Sequence, residues 1–171
     1  IYLSDAQGNE QIISKGAHPK LSPDGKSVLF LKNDGLYLTD LTKVSGASFT
    51  AHKVWGMKDD REALINMQFN VSDDGKMLAW TSPDVGKLFV FSITSWDPFN
   101  MELRRTVPIY GFWPVFSPDG KYLAFEEVDL SLDKEFINQR LVLFDTTSLA
   151  KRVVTDLSAF DQLKMFVMDW R

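Results

Sequence analysis

Trp113-Pro114-Val115-Phe116-Ser117-Pro118-Asp119-Gly120-Lys121, running into Tyr122-Leu123-Ala124-Phe125, decides the fold because it is one of three copies. The first copy is His18-Pro19-Lys20-Leu21-Ser22-Pro23-Asp24-Gly25-Lys26, followed by the apolar run 28–31. The middle copy is Met67-Gln68-Phe69-Asn70-Val71-Ser72-Asp73-Asp74-Gly75-Lys76, followed by Met77-Leu78-Ala79-Trp80. Their glycines stand at 25, 75 and 120, giving spacings of 50 and 45 residues. A period on the order of 40–50 residues is that of a four-stranded propeller blade. Within each copy, Pro presets φ, Asp can bond its own backbone, and Gly takes the left-handed conformation that a side chain resists. Ser-Pro-Asp-Gly thus predicts a tight turn between two strands, the second of them apolar and buried on both faces.

Outward from these turns, a third strand is expected at 36–40, 88–91 and 141–145, and a more polar fourth strand at 48–54, 101–108 and 151–154. That polarity suits the outer edge of a blade. Residues 1–5 read like 36–40, so the chain starts on a third strand, with a fourth at 10–13; residues 167–171 read like 113–117, a first strand. The predicted organisation is therefore one propeller segment: 1–14 ends a blade, 17–54, 65–108 and 112–155 are full blades, and 164–171 opens another. The fold class is all-β, a β-propeller of four-stranded antiparallel blades, either partial or part of a larger ring. The larger ring is favoured, because propellers have 4–8 blades and an open one exposes strand edges and core. In the alternative, the first and last pieces share a blade that another segment or chain completes.

The Ser-Pro-Asp-Gly-Lys unit, the apolar strand after it and the strand ending in Asp40 or Asp145 resemble the TolB-like β-propeller repeat. This is the Pro-Asp variant of WD-type repeats, found in periplasmic Tol translocation proteins and many secreted bacterial propellers. Residues 1–8 resemble the strand and turn that close such a blade. The resemblance covers nearly the whole chain and implies the fold, together with a bacterial periplasmic or extracellular setting. The sequence departs from the repeat where Asp73 replaces the turn Pro, in a loop at 94–100, and in an insert at 129–138.

Composition narrows the function classes. With 44% hydrophobic and 25% charged residues, the chain has the composition of an ordinary globular domain. A formal net charge of -4 and the lack of a Lys/Arg cluster argue against nucleic acid as a partner. The chain has no cysteine, which excludes thiolate metal sites and a cysteine nucleophile. No apolar stretch approaches the roughly 18 residues of a membrane span. No Gly-x-Ser-x-Gly elbow, phosphate loop or dinucleotide fingerprint occurs, so no catalytic constellation and no cofactor are expected.

Asp24, Asp74 and Asp119 resemble a metal or acid/base set, but each holds the same place in its own turn and reads as structural. His18, Asn66 and Trp113 are expected at first-strand positions near the axial channel, where a His could meet a ligand or a metal; a polar residue at a strand start is the plainer reading. Glu126, Glu127, Asp129, Asp133 and Glu135 form the densest acidic stretch and read as a solvated insert that could meet calcium or a basic partner. Trp55, Trp96, Phe99 and Phe112 lie in or near predicted loops. An exposed aromatic patch there would mark a protein interface; burial under a neighbouring blade is the alternative. The candidate interaction residues are His18, Asn66, Trp96, Phe99, Trp113, Asp129, Asp133 and Glu135. The expected role is a non-catalytic scaffold for protein partners within a larger periplasmic or cell-surface assembly. Two alternatives stand beside it. One is the propeller of a prolyl-oligopeptidase-like or dipeptidyl-peptidase-like serine protease with its catalytic domain outside this chain; the other is an accessory subunit of a redox complex.

Overall fold

The computed structural model describes residues 1–4, 6–32, 35–43, 49–56, 68–82, 86–130 and 136–156. Every regular element among them is a strand, and no helix among them is long and apolar enough to cross a membrane. The chain divides into two compact units, 1–65 and 66–171.

In the first unit, β1 (Tyr2–Ser4) and β2 (Glu10–Ile12) form an antiparallel pair. Then β3 (Ala17–Leu21), β4 (Ser27–Lys32), β5 (Gly35–Asp40) and β6 (Ala51–Trp55) form a sheet in chain order. Its core is Ile13, Val28 and Phe30, packed by Ile1, Tyr37, Leu41, Phe49 and Ala51. The second unit holds two such sheets. One is β7 (Gln68–Val71), β8 (Met77–Ser82), β9 (Lys87–Trp96) and β10 (Phe99–Pro108); the other is β11 (Tyr110–Phe116), β12 (Tyr122–Leu130), β13 (Phe136–Asp145) and β14 (Lys151–Asp156). These are blades of the expected kind. The strand after each Ser-x-Asp-Gly turn is the buried one, as Leu29, Phe30, Leu78, Trp80, Leu123 and Phe125 show, whereas most of β10 is exposed. Ala79, Leu88 and Val90 of one sheet meet Phe116, Leu123, Phe125, Val142 and Phe144 of the other in a single apolar cluster. Aligned sheets packed face to face bury alternate residues in this way.

The three turns share one bonding scheme. The Ser22, Ser72 and Ser117 hydroxyls donate to Asp24, Asp74 and Asp119 at 2.6, 2.7 and 2.7 Å. The same hydroxyls accept the amides of Ser27, Met77 and Tyr122 at 2.9, 2.9 and 3.0 Å. Each Asp also accepts the amide of the following Lys. Gly25, Gly75 and Gly120 have φ of 70°, 68° and 68°, where a side chain would be strained. Asp73 in place of Pro leaves the middle scheme intact, because none of these bonds uses the nitrogen of that position.

These bonds hold the carboxyls below their ordinary value of 3.8. For Asp24 and Asp119 the serine hydroxyl is the main cause, followed by the lysine amide. For Asp74, burial is the largest single influence and opposes the shift, but Ser72 and Lys76 together outweigh it. A carboxyl whose folded value is lowered stabilises the fold above the unfolded value and ceases to do so as pH falls through the folded one. The triple variant Asp24→Asn/Asp74→Asn/Asp119→Asn should therefore have a lower urea midpoint than wild type at about pH 7. It should also lose less stability than wild type between about pH 5 and about pH 2.5. An acid limb identical to that of wild type would remove the turn carboxylates as its source.

Candidate functional site

The sheet β7–β10 departs from a plain blade at one end. The last β8–β9 pair is Met77 with Ser92, yet β9 runs on to Trp96 and pairs with β10 from Phe99. Residues expected as a loop at 94–100 are thus mostly a strand hairpin with Asp97 and Pro98 at its tip. The loop reading fails because it rests on the polarity of Thr94, Ser95 and Asn100, and polarity at an exposed hairpin does not oppose strand pairing. The hairpin leans on the β7–β8 turn. Ile93 donates its amide to Lys76 O at 2.7 Å, and Trp96 Nε1 donates to Gly75 O at 2.9 Å. Trp96 and Phe99 meet edge to face with ring centroids 5.4 Å apart, both half-buried.

Two register shifts shape this hairpin. One falls between Asn100 and Met101, leaving Thr94 as the extra residue of β9. The other falls between Leu103 and Arg105, so Arg104 is the extra residue of β10. A bulge re-aims the side chain it inserts. Arg104 Nε donates to Ser92 Oγ at 2.7 Å, and Arg104 lines a cleft of about 510 Å³. The other walls are Asp74, Lys76 and Met77, the third turn at Asp119, Gly120 and Lys121, and Thr146, Thr147 and Leu149 at the β13–β14 turn. Asp145 fixes that last turn. It accepts the amides of Ser148 and Thr147, in that order of influence, and both hold its carboxyl below the ordinary range. Asp40 does the corresponding work after β5, where the Thr42 hydroxyl is the main cause of its lowering.

The first-strand candidates behave differently from one another. His18 and Trp113 both have a φ of 53° and both precede a proline. Pro19 and Pro114 offer no N–H to the ladder, and each strand bulges there, between Ala17 and Lys20 and between Phe112 and Val115. Four residues before the turn serine of the middle copy stands Gln68, not Asn66. Buried Gln68 accepts the amide of Trp113 on its Oε1 and so ties β7 to β11. Asn66 lies outside the described residues, as do Asp133 and Glu135.

Asp129 lies on β12, bound by Arg140 at 2.6 Å. The expected insert at 129–138 is in part strand: Asp129 pairs with Asn138 and Leu130 with Phe136. Glu126 and Glu127 are buried rather than solvated. Glu127 bonds Lys151 and faces Arg140 Nε at 3.6 Å, and those cations make its burial tolerable. Trp55 and Phe112 lie within strands β6 and β11. Sequence reading missed Gln68, Arg104 and the Glu127 pair. Counting back from the serine finds Gln68; nothing in the sequence marks the Arg104 bulge.

The repeated blades and their turns define a TolB-like β-propeller fold. TolB from Acinetobacter baumannii is similar over 91% of this chain and 37% of its own, at 22% identity and a TM-score of 0.56. Hydrazine synthase from Kuenenia stuttgartiensis is similar over 89% of this chain and 46% of its own, at 16% identity and a TM-score of 0.57. The periplasmic gluconolactonase of Pseudomonas aeruginosa is similar over 82% of this chain and 39% of its own, at 15% identity and a TM-score of 0.53. In each case this chain spans less than half of the other's length. No protein-family model and no curated protein matches the sequence.

Proposed function

We propose that the protein is a propeller-type binding platform that holds a protein partner on the turn rim of its second unit, in the bacterial periplasm or at the cell surface. Similar propellers include a TolB and also enzymes, and one fold serves many chemistries, so residues must decide. The observation that carries the reading is the β9–β10 hairpin. Residues 93–101 run past the end of β8, are braced on Gly75 and Lys76, and bring an aromatic pair to the rim beside an arginine-lined cleft. Aromatic residues and arginine on a rigid support are the groups that dominate protein contacts. The resemblance of the repeat to those of periplasmic propellers supports this setting.

The test is photocrosslinking in the native host, with a benzophenone amino acid replacing Phe99 or, as a control, Arg152 on β14. Position 99 should give a discrete adduct with one protein, and Trp96→Ala should weaken that adduct several-fold. Adducts of equal yield from both positions, or none from position 99, would refute the rim as the contact surface.

A further inference from the structure

The cleft beside β10 holds three cations, Lys76, Arg104 and Lys121, and two acids, Asp74 and Asp119. The acids are already engaged. Each accepts a serine hydroxyl and a backbone amide, and each faces its own turn lysine, at 3.5 Å for Asp74 and 3.3 Å for Asp119. Arg104 is not so engaged. Its Nε is fixed by Ser92, whose hydroxyl in turn donates to Met77 Sδ at 3.8 Å. Among the described residues no carboxylate pairs with its guanidinium, so Nη1 and Nη2 remain as a fork of donors. A guanidinium held at Nε is pre-organised for two-point binding of a planar acid. Across the cleft, Thr146 commits its hydroxyl proton to Gly120 O and Lys121 O, which stiffens the facing wall. Met77 and Leu149 supply an apolar lining. A volume of about 510 Å³ lies within the range of roughly 300–1,000 Å³ typical of ligand sites.

We infer that this cleft is a carboxylate-recognition site in which the Arg104 fork takes an Asp or Glu side chain from an extended segment of the partner. The inference rests on the rim reading and names the chemistry of the partner. Charge selects the ligand class. Three cations against two acids leave room for one negative charge; a doubly charged phosphate would leave the cleft with a net negative charge. The sheet selects a chain over a free acid. β10 is the outer strand, and its second edge pairs with no strand among the described residues. An extended segment can hydrogen-bond along such an edge while a side chain enters the adjoining cleft.

The purified protein should bind a fluorescein-labelled tetraglutamate peptide in an anisotropy titration, and a tetralysine peptide should not bind. Arg104→Leu should weaken tetraglutamate binding about tenfold to a hundredfold, the loss expected for a charge-assisted pair. Arg104→Lys should recover only part of it, because an ammonium cannot make the two-point contact. Arg105→Leu removes the same charge at the next residue, outside the cleft lining, and should bind as wild type; unchanged melting temperatures will show that the variants are folded. Wild-type affinity in Arg104→Leu, or equal losses in both variants, would overturn the site. Displacement of the peptide by phosphate at lower concentration than by acetate would overturn the carboxylate assignment. Acetate binding as tightly as the peptide would overturn the extended segment. Failure of these titrations with crosslinking from position 99 intact would reject the carboxylate site and leave the platform. Arg104-dependent binding without crosslinks would do the reverse.

Discussion

Phe125→Ala will destabilise the second unit by about 3–5 kcal/mol, the loss typical of a fully buried aromatic. Phe125 has no exposed surface and lies at the centre of the cluster joining the two sheets. It faces Val142 on β13, and on its other side the register shift puts Trp113 and Pro114 opposite it. Neither neighbour can move in easily. Val142 is held in unbroken register against β12, and the Trp113 amide is tied to Gln68. The cavity will therefore stay open, which places the cost toward the upper end of the range. Tyr122→Ala, at the exposed start of the same strand, should cost less than about 1 kcal/mol. Urea unfolding monitored by tryptophan fluorescence will measure both. An unchanged m-value with a shifted midpoint will assign the effect to stability rather than to a looser native state. A loss below about 1.5 kcal/mol for Phe125→Ala would mean that the sheets are not packed through this residue.

Lys151→Met carries the second large effect, about 2–4 kcal/mol. Glu127 is buried on β12, and Lys151 and Arg140 reach it from β14 and β13. Arg140 is shared, because its Nη2 also holds Asp129. Removing Lys151 leaves a buried carboxylate with one cation at 3.6 Å, and that uncompensated charge is the source of the loss. The double variant Glu127→Leu/Lys151→Met should be more stable than Lys151→Met alone, since both charges leave together. Salt should separate this pair from the turn lysines. The Lys26, Lys76 and Lys121 pairs are exposed and screened, whereas the Glu127 pair should respond little to added salt. A double variant weaker than both single ones would show that the ion pair itself, and not the stranded charge, sets the stability.

The turns were legible because the Ser, Asp, Gly and Lys of Ser-x-Asp-Gly-Lys each have a bond to make, and the scheme survives the loss of the proline at Asp73. The buried second strands followed from their unbroken apolar runs. Two features were read too locally. Residues 94–100 and 129–138 looked like loop and insert because they are polar, yet much of each is paired strand. Backbone pairing needs no apolar side chain where the strand is exposed. Glu126 and Glu127 looked solvated for the same reason; the cations that make burial of Glu127 tolerable come from strands 13 and 24 residues further on. Arg104 was hidden by parity. Met101, Leu103, Arg105 and Val107 alternate as if on one face, but the extra residue puts Leu103 opposite Phe91 and Val107 opposite Leu88. Those two partners lie on opposite faces of β9. No pattern in the sequence carries that switch.

The most direct test of the turn rim as the contact surface is hydrogen exchange with the partner captured from position 99, bound and free. The account predicts slowed exchange in peptides covering residues 93–105, 117–121 and 145–149, with residues 17–21 and 110–116 unchanged. Slowed exchange confined to the first strands at 17–21 and 110–116, with the hairpin unprotected, would contradict it and move the contact to the strand starts around His18 and Trp113.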